Sequence, residues 1–343
     1  MSAADTRSID PWDWFERRTF HHSAFADVGA LLRAKRARGA RISVCLPTRN
    51  EAGTVGAIVA VLREELVRAV PLIDEIVVVD SASSDGTARV AEEAGAIVYQ
   101  DSEILPALPP LGGKGDALWK ALFVVRGDIV VFVDADLREF HSWFVTGLLG
   151  PLLLVPGVDY VKGFYERPVV NGDGVDAGGG GRVTELLARP LLNLFFPELA
   201  AVIQPLGGEY AGTRELLASV PFIGGYGVEL GLLVDIVSRR GLDAIAQADL
   251  DRRLHRNQPM PELSRMAFEV LQAALLRLES LGRIELRTEL HRTLHQFRNV
   301  GEGYRPVPST ITIGERPPAA TVPGFPAAPP LPAVWWGTAT AHR

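Results

Sequence analysis

Three apolar runs, each closed by polar residues, punctuate the first 140 positions: RISVCLPT (41–48), DEIVVVDSAS (74–83) and GDIVVFVDAD (127–136). Short, β-branched and greasy throughout, they read as parallel strands buried on both faces. Between the first two, EAGTVGAIVAVLREELVRAV (51–70) repeats apolar residues at helical spacing behind the start signals Asn50 and Glu51. SDGTARVAEEAG (84–95) predicts another helix and AIVYQD (96–101) a short strand. Strands alternating with helices predict an α/β fold: a Rossmann-like, mostly parallel sheet flanked by helices. Ligands of such sheets bind beyond the carboxyl ends of the strands, so the polar strand ends share one functional rim.

After position 150 the pattern changes. VDYVKGFYERPVV (158–170) predicts a strand, NGDGVDAGGGGR (171–182) a loop, and VTELLARPLLNLFF a helix. DAIAQADLDRRLH reads as a strand passing into a loop. Residues 261–282 form an amphipathic helix with Leu263, Met266, Val270, Ala273 and Leu276 on one stripe, suited to core or dimer packing. From Tyr304 nine prolines fall in forty residues, a density expected of a disordered or draped tail. The expected divisions are an arm and helix (1–40), a nucleotide-binding part (41–150), an acceptor-binding and dimerisation part (151–303) and the tail (304–343).

Composition narrows this picture. At 343 residues, 47% hydrophobic and 22% charged, the chain is ordinary globular protein, and its net charge of -6 argues against a nucleic-acid partner. The single cysteine, Cys45, lies in an apolar run and reads as a buried small hydrophobe. The N-terminal stretch lacks an apolar core of the signal-peptide kind. FVTGLLGPLLLVPGV (144–158), interrupted by glycine and proline, is shorter than the roughly 20 residues that span a bilayer. A cytoplasmic protein without a membrane span is expected.

The candidate chemistry lies on the rim. Asp134 and Asp136, one residue apart at a strand end, repel unless a cation sits beside them. Hard oxygen ligands favour Mg²⁺ or Mn²⁺, typically shared with a diphosphate. LPTRNEAGTV and VVVDSASSDGT close neighbouring strands; their residues either cap helices or form a lip around a nucleobase and ribose. Lys114, between glycines in LGGKGDALW, suits a diphosphate oxygen or a base carbonyl. In GGGGRVTEL, Arg182 and Thr184 at a glycine-rich helix start suit a phosphate or carboxylate. His255, in RRLHRNQP, is a candidate third metal ligand, and Glu229, in GYGVELG, is a carboxylate in apolar company that needs a partner.

These blocks, in the order LPTRNE, VVVDSASSDGT, GGKGDALW, VVFVDADL, GGGGRVTEL, QPLGGEY, GYGVELG and LHRN, closely resemble the glucosyl-3-phosphoglycerate synthases of actinobacteria over residues 10 to 260. The resemblance implies a retaining GT-A glycosyltransferase, related to the mannosyl-3-phosphoglycerate synthases. It implies transfer of glucose from UDP-glucose, or another NDP-glucose, to the 2-hydroxyl of 3-phosphoglycerate. Carried to matching positions, Pro47, Thr48, Arg49, Glu51, Ser81 and Lys114 hold the nucleotide, with Asp134 towards its ribose. Asp136 and His255 ligate Mg²⁺ or Mn²⁺. Gly181, Arg182, Thr184 and Asn257 grip 3-phosphoglycerate, while Lys114, Asp136 and Glu229 serve the chemistry. A homodimer is implied. Mannose from GDP-mannose remains open, and a GT-A transferase acting on a polyprenyl phosphate is the more distant alternative.

Overall fold

Ile42, Val44 and Leu46 face one side of the first central strand and Cys45 the other, and all four are fully buried. That two-sided apolar demand is met by helices on both faces of one sheet. The computed structural model describes residues 10–167, 169–171, 174–176, 180–253 and 258–326. Its eight-stranded sheet comprises β1 (Thr19–His21), β2 (Ile42–Thr48), β3 (Glu75–Asp80), β4 (Ile97–Gln100), β5 (Ile129–Phe132), β6 (Tyr160–Glu166), β7 (Tyr210–Thr213) and β8 (Ile245–Arg252). The spatial order is β1-β8-β6-β7-β5-β2-β3-β4. Every pairing is parallel except those of β7, which runs antiparallel to both β5 and β6.

That single reversal shapes the rim. An antiparallel strand begins where its parallel neighbours end, so Gly207, Gly208 and Glu209, entering β7, stand beside the residues leaving β5 and β6.

The helices are α1 (Pro11–Arg18), α2 (Val28–Arg38), α3 (Val55–Arg63), α4 (Thr87–Ala94), α5 (Gly113–Val124), α6 (Trp143–Leu154), α7 (Arg189–Phe195), α8 (Arg214–Ser219), α9 (Val228–Arg240) and α10 (Met260–Ser280). One face of the sheet packs on α5, α8, α9 and α10 through Leu118, Trp119, Leu216, Leu230 and Val270. The other packs on α2, α3 and α6 through Leu31, Ile58, Leu62, Leu148 and Leu149.

Several expectations change. The expected arm over 1–40 contributes β1, which pairs with β8 at the sheet edge. The helix expected from 51 begins at Val55, because Asn50 adopts a left-handed φ of 60° and residues after it turn first. β5 ends at Phe132, so Asp134 and Asp136, expected at the strand end, sit in the segment that follows it. The stretch read as interrupted at 144–158 carries the continuous α6. There, Gly147 and Gly150 lack the side chains that would collide with His22 and Phe25.

The proline-rich tail differs most. Tyr304–Thr310 pairs with Thr293–Asn299 as a hairpin, and Glu315–Arg316 pairs with Phe222–Ile223. Arg316 Nε donates to Asp116 Oδ1 at 2.7 Å, and Trp119 Nε1 donates to the Pro317 carbonyl at 2.7 Å. Prolines do not prevent this because Glu315–Arg316 pairs through non-proline residues and the other anchors are a side chain and a carbonyl, which proline leaves intact. Residues 327–343 lie outside the described residues.

Asp116 is 1% exposed; besides Arg316 it has Lys120 at 3.5 Å and the Leu111 N–H, which donates to Oδ2 at 3.2 Å. Arg316→Ala leaves that carboxylate poorly compensated and is expected to cost about 3 kcal/mol. Urea unfolding measures this; a change below about 0.5 kcal/mol, the size of a surface substitution, would mean the segment adds nothing to the fold.

Candidate active site

The ends of β2 and β3 are laced together. Thr48 Oγ1 donates to Asp80 Oδ1 at 2.9 Å, Ser83 Oγ donates to the same oxygen, and the Asn50 N–H donates to Ser83 Oγ at 2.8 Å. Glu51 is fixed by its own N–H, which donates to Thr87 Oγ1 at 2.8 Å. This stiff lip borders a cavity of about 470 Å³ lined by Pro47, Thr48, Arg49, Glu51, Ser81, Lys114, Asp134 and Asp136.

A second cavity of about 190 Å³ adjoins it and is lined by Gly181, Arg182, Thr184, Glu229 and Arg253. Lys114, Asp134, Asp136, Tyr226 and Gln258 line both. The cleft therefore has two chambers that meet at one lysine and two aspartates. Arg182 donates to the Gln258 carbonyl at 3.1 Å, and Leu263 and Met266 of α10 close the smaller chamber. Part of the stripe expected to pack a core or a dimer thus faces a cavity. His255 and Asn257 lie outside the described residues.

Lys114 bridges the chambers. Its Nζ lies 2.5 Å from Asp134 Oδ1 and 2.8 Å from Glu229 Oε1, so Glu229 has the partner its buried position demands. Burial opposes the ammonium charge, but the Asp134 and Glu229 carboxylates outweigh it and hold the pKa above the usual lysine value. The neighbouring glycines serve placement. Gly112 and Gly113 take φ of 70° and 75°, and a Cβ on Gly115 would collide with the Ile223 carbonyl.

Arg253 was not anticipated. Its buried guanidinium donates to Asp136 Oδ1 at 2.5 Å, Asp134 Oδ2 at 3.2 Å, Glu209 Oε1 at 3.0 Å and the Tyr165 hydroxyl at 2.5 Å. Gly208 makes room: a side chain there would strike the Asp134 carboxylate. Burial raises the Asp134 pKa, yet Lys114 and Arg253 together bring it below the ordinary range, so it is ionised. The only signal in sequence was an arginine pair leaving a strand; its partners lie 44 to 119 positions away.

The acidic rim suits a hard divalent cation. Asp136 gives one oxygen to Arg253 while its side chain stays 41% exposed, leaving the other oxygen for a ligand. Burial first, and then the negative charge of Asp136, Asp85 and Asp134, push the Glu51 carboxyl up to about 7 beside the larger chamber. A cation at Asp136 offsets that charge.

The mostly parallel sheet, the two-chambered rim and the aspartate pair define a GT-A glycosyltransferase. The family described as Glycosyl transferase family 2 matches residues 43–150. The chain is 46% identical to the glucosyl-3-phosphoglycerate synthase of Petrotoga mobilis over 90% of its length and 95% of that protein's. It is 48% identical to the Mycolicibacterium smegmatis enzyme over 83% of its length and 90% of that protein's. Similar solved structures include mannosyl-3-phosphoglycerate synthase from Rubrobacter xylanophilus (TM-score 0.84, 42% identity, 92% of this chain and 99% of that one). Another is glucosyl-3-phosphoglycerate synthase from Mycobacterium tuberculosis with Mn²⁺, UDP and glucosyl-3-phosphoglycerate (TM-score 0.74, 43% identity, 85% and 95%). The chain belongs to the glucosyl-3-phosphoglycerate synthase family. Among the described residues no helix is long and apolar enough to cross a membrane.

Lys162 lies behind this site, 1% exposed, donating to the Gly207 carbonyl at 2.6 Å. Burial lowers its pKa from 10.5 to about 7, with Glu229 opposing the shift. Below pH 7 the folded chain bears the cost of a buried ammonium in full. Between about 7 and 10.5 the unfolded chain binds more protons than the folded one, so stability rises with pH. Urea unfolding at pH 7 and 9 should therefore show Lys162→Met losing ground to the unsubstituted chain as pH rises, by up to about 1.4 kcal/mol per pH unit. A difference independent of pH would place the charged lysine in the folded state throughout.

Proposed function

We propose that this enzyme transfers glucose from UDP-glucose to the 2-hydroxyl of 3-phosphoglycerate, retaining the α configuration, with Mg²⁺ or Mn²⁺ as cofactor. The observation that carries the proposal is the meeting of two chambers at Lys114, Asp134 and Asp136. In this reading the larger chamber takes the nucleotide, with Pro47, Thr48, Arg49, Glu51 and Ser81 around base and ribose and Asp134 on the ribose side. The smaller takes the acceptor through Gly181, Arg182, Thr184 and Asn257. The glucosyl unit lies at their junction.

Asp136 and His255 are the proposed cation ligands; the bound ion supplies positive charge against the departing diphosphate. The rest is the work of side chains. Lys114 is held ionised and aimed by its two carboxylates, so it needs no reorganisation to stabilise negative charge arising between the chambers. Arg253 keeps Asp136 turned toward the rim. Glu229, 3% exposed and tied to Lys114, is suited to accept hydrogen bonds from sugar hydroxyls. An ion-paired carboxylate is a weakened nucleophile, which favours same-face attack over a covalent sugar intermediate on Glu229. The acceptor proton then passes to the leaving diphosphate oxygen as the glycosidic bond breaks. Work in the cytoplasm and assembly as a homodimer complete the proposal.

The likeness to the Rubrobacter mannosyl-3-phosphoglycerate synthase supports a second reading, transfer of mannose from GDP-mannose. Purified enzyme with Mg²⁺, 3-phosphoglycerate and each sugar nucleotide separates the two. UDP release with UDP-glucose is expected, and no turnover with any hexose nucleotide would remove the proposal. Asp136→Ala should lower turnover by roughly 10²–10³-fold while leaving the fold intact. Arg182→Ala should raise the KM for 3-phosphoglycerate by about 10- to 100-fold, the worth of a charged hydrogen bond, with UDP-glucose binding little changed. A fall in donor affinity instead would reverse the assignment of the chambers.

A further inference from the structure

Outside both chambers, His21 at the end of β1 and His22 just after it meet Asp251 near the end of β8. His21 Nε2 lies 2.9 Å from Asp251 Oδ1, and His22 Nε2 lies 2.6 Å from Asp251 Oδ2. The three potential ligand atoms all fall within 4.8 Å of one another. We propose that His21, His22 and Asp251 form a second metal site, for a divalent transition ion of the Zn²⁺ class, that clips the N-terminal strand to β8.

The chain is shaped to bring these groups together. β1 pairs with β8 in a register that sets His21 opposite Asp249. The pairing of β8 with β6 shifts register between Asp249 and Arg252, and inside that irregularity Asp251 takes a left-handed φ of 67°. A non-glycine residue adopts that backbone at a cost; here it turns the carboxylate toward both imidazoles. His22 is seated by α6. Its ring stacks on Trp143 at 5.3 Å and 17°, and Trp143 stacks on His141 at 3.8 Å.

The chemistry fits as well as the placement. Two imidazoles and a carboxylate are a three-ligand set for Zn²⁺, with water completing a tetrahedron. Ligands about 2.0–2.2 Å from one ion stand roughly 3.3 Å apart, so the half-exposed His21 and Asp251 need only a small outward shift around the largely buried His22. A ring ligating through Nε2 carries its proton on Nδ1; Ser23 Oγ lies 2.7 Å from His21 Nδ1 and accepts that proton once the Ser23 N–H, which donates to Nδ1 at 3.2 Å in the ion-free cluster, has turned away. Asp249, whose Oδ1 accepts the Asp251 N–H at 3.0 Å, adds a second negative charge nearby. The alternative is an ion-free cluster in which Asp251 simply accepts two imidazole N–H bonds.

The two are separated by equilibrium dialysis with Zn²⁺ and by the visible absorption of Co²⁺, on untagged protein carrying Asp136→Ala to disable the catalytic cation site. One Zn²⁺ per chain and the intense spectrum of four-coordinate Co²⁺ are expected, with a higher Tm in Zn²⁺. Adding His22→Ala, or the milder Asp251→Asn, should weaken binding on the order of tenfold or more while the far-ultraviolet circular dichroism is unchanged. An Asp136→Ala protein that binds no Zn²⁺, or well-folded double variants that keep the full stoichiometry, would overturn the site.

Discussion

Arg253 is one buried cation surrounded by three carboxylates and a tyrosine hydroxyl, and the geometry of the cleft depends on it. Asp134 leaves β5, Glu209 enters β7 and Tyr165 closes β6, so the guanidinium ties together the ends of three adjacent strands. A buried ion cluster of this kind is a poor source of stability, because desolvation consumes most of the attraction. Its value is positional. Glu209, fully buried, is pushed by burial toward the neutral form, with Arg253 opposing; Asp134 is held ionised. The same guanidinium thus fixes where the rim carboxylates point and, with Lys114, helps hold Asp134 charged.

That constraint explains why β7 runs against its neighbours. A parallel strand in its place would bring its carboxyl end to the rim, and the Gly207–Glu209 entry would lie at the opposite edge. The reversal brings Gly208 against Asp134 and Glu209 under Arg253. It also leaves the Gly207 carbonyl for Lys162, whose pKa is depressed by its burial behind the site. Residues lining the larger and the smaller chamber come from the two halves of the sheet, and this strand joins them.

Much of this was legible in sequence, for identifiable reasons. The strands β2 and β3 announce themselves because double-sided burial demands uninterrupted Val, Ile and Leu, and their polar ends are forced to one rim by parallel topology. Lys114, Glu51, Asp136 and Arg182 follow from that rim and from motif order. What escaped notice depended on contacts distant along the chain. Nothing local marks Arg253 as the partner of Asp136, 117 positions earlier. The glycines around Lys114 marked the lysine as a candidate diphosphate contact, but nothing local showed that Gly115 is required by the close passage of Ile223. The proline-rich segment at 304–326 looked unable to pack, yet Arg316 and the Pro317 carbonyl anchor it to α5, the helix that carries Lys114. Composition reports whether a segment can build its own core, and this one borrows another.

The central claim is that Arg253 and the rim carboxylates act as one unit in presenting the nucleotide site. A double-mutant cycle on UDP-glucose binding in the presence of Mn²⁺, using Arg253→Met and Asp134→Asn, tests it directly. If the account is correct, each substitution weakens binding and the pair weakens it by less than the sum, with a coupling energy on the order of 1–3 kcal/mol. Strictly additive losses, within about 0.5 kcal/mol, would contradict it and make Arg253 an independent structural residue.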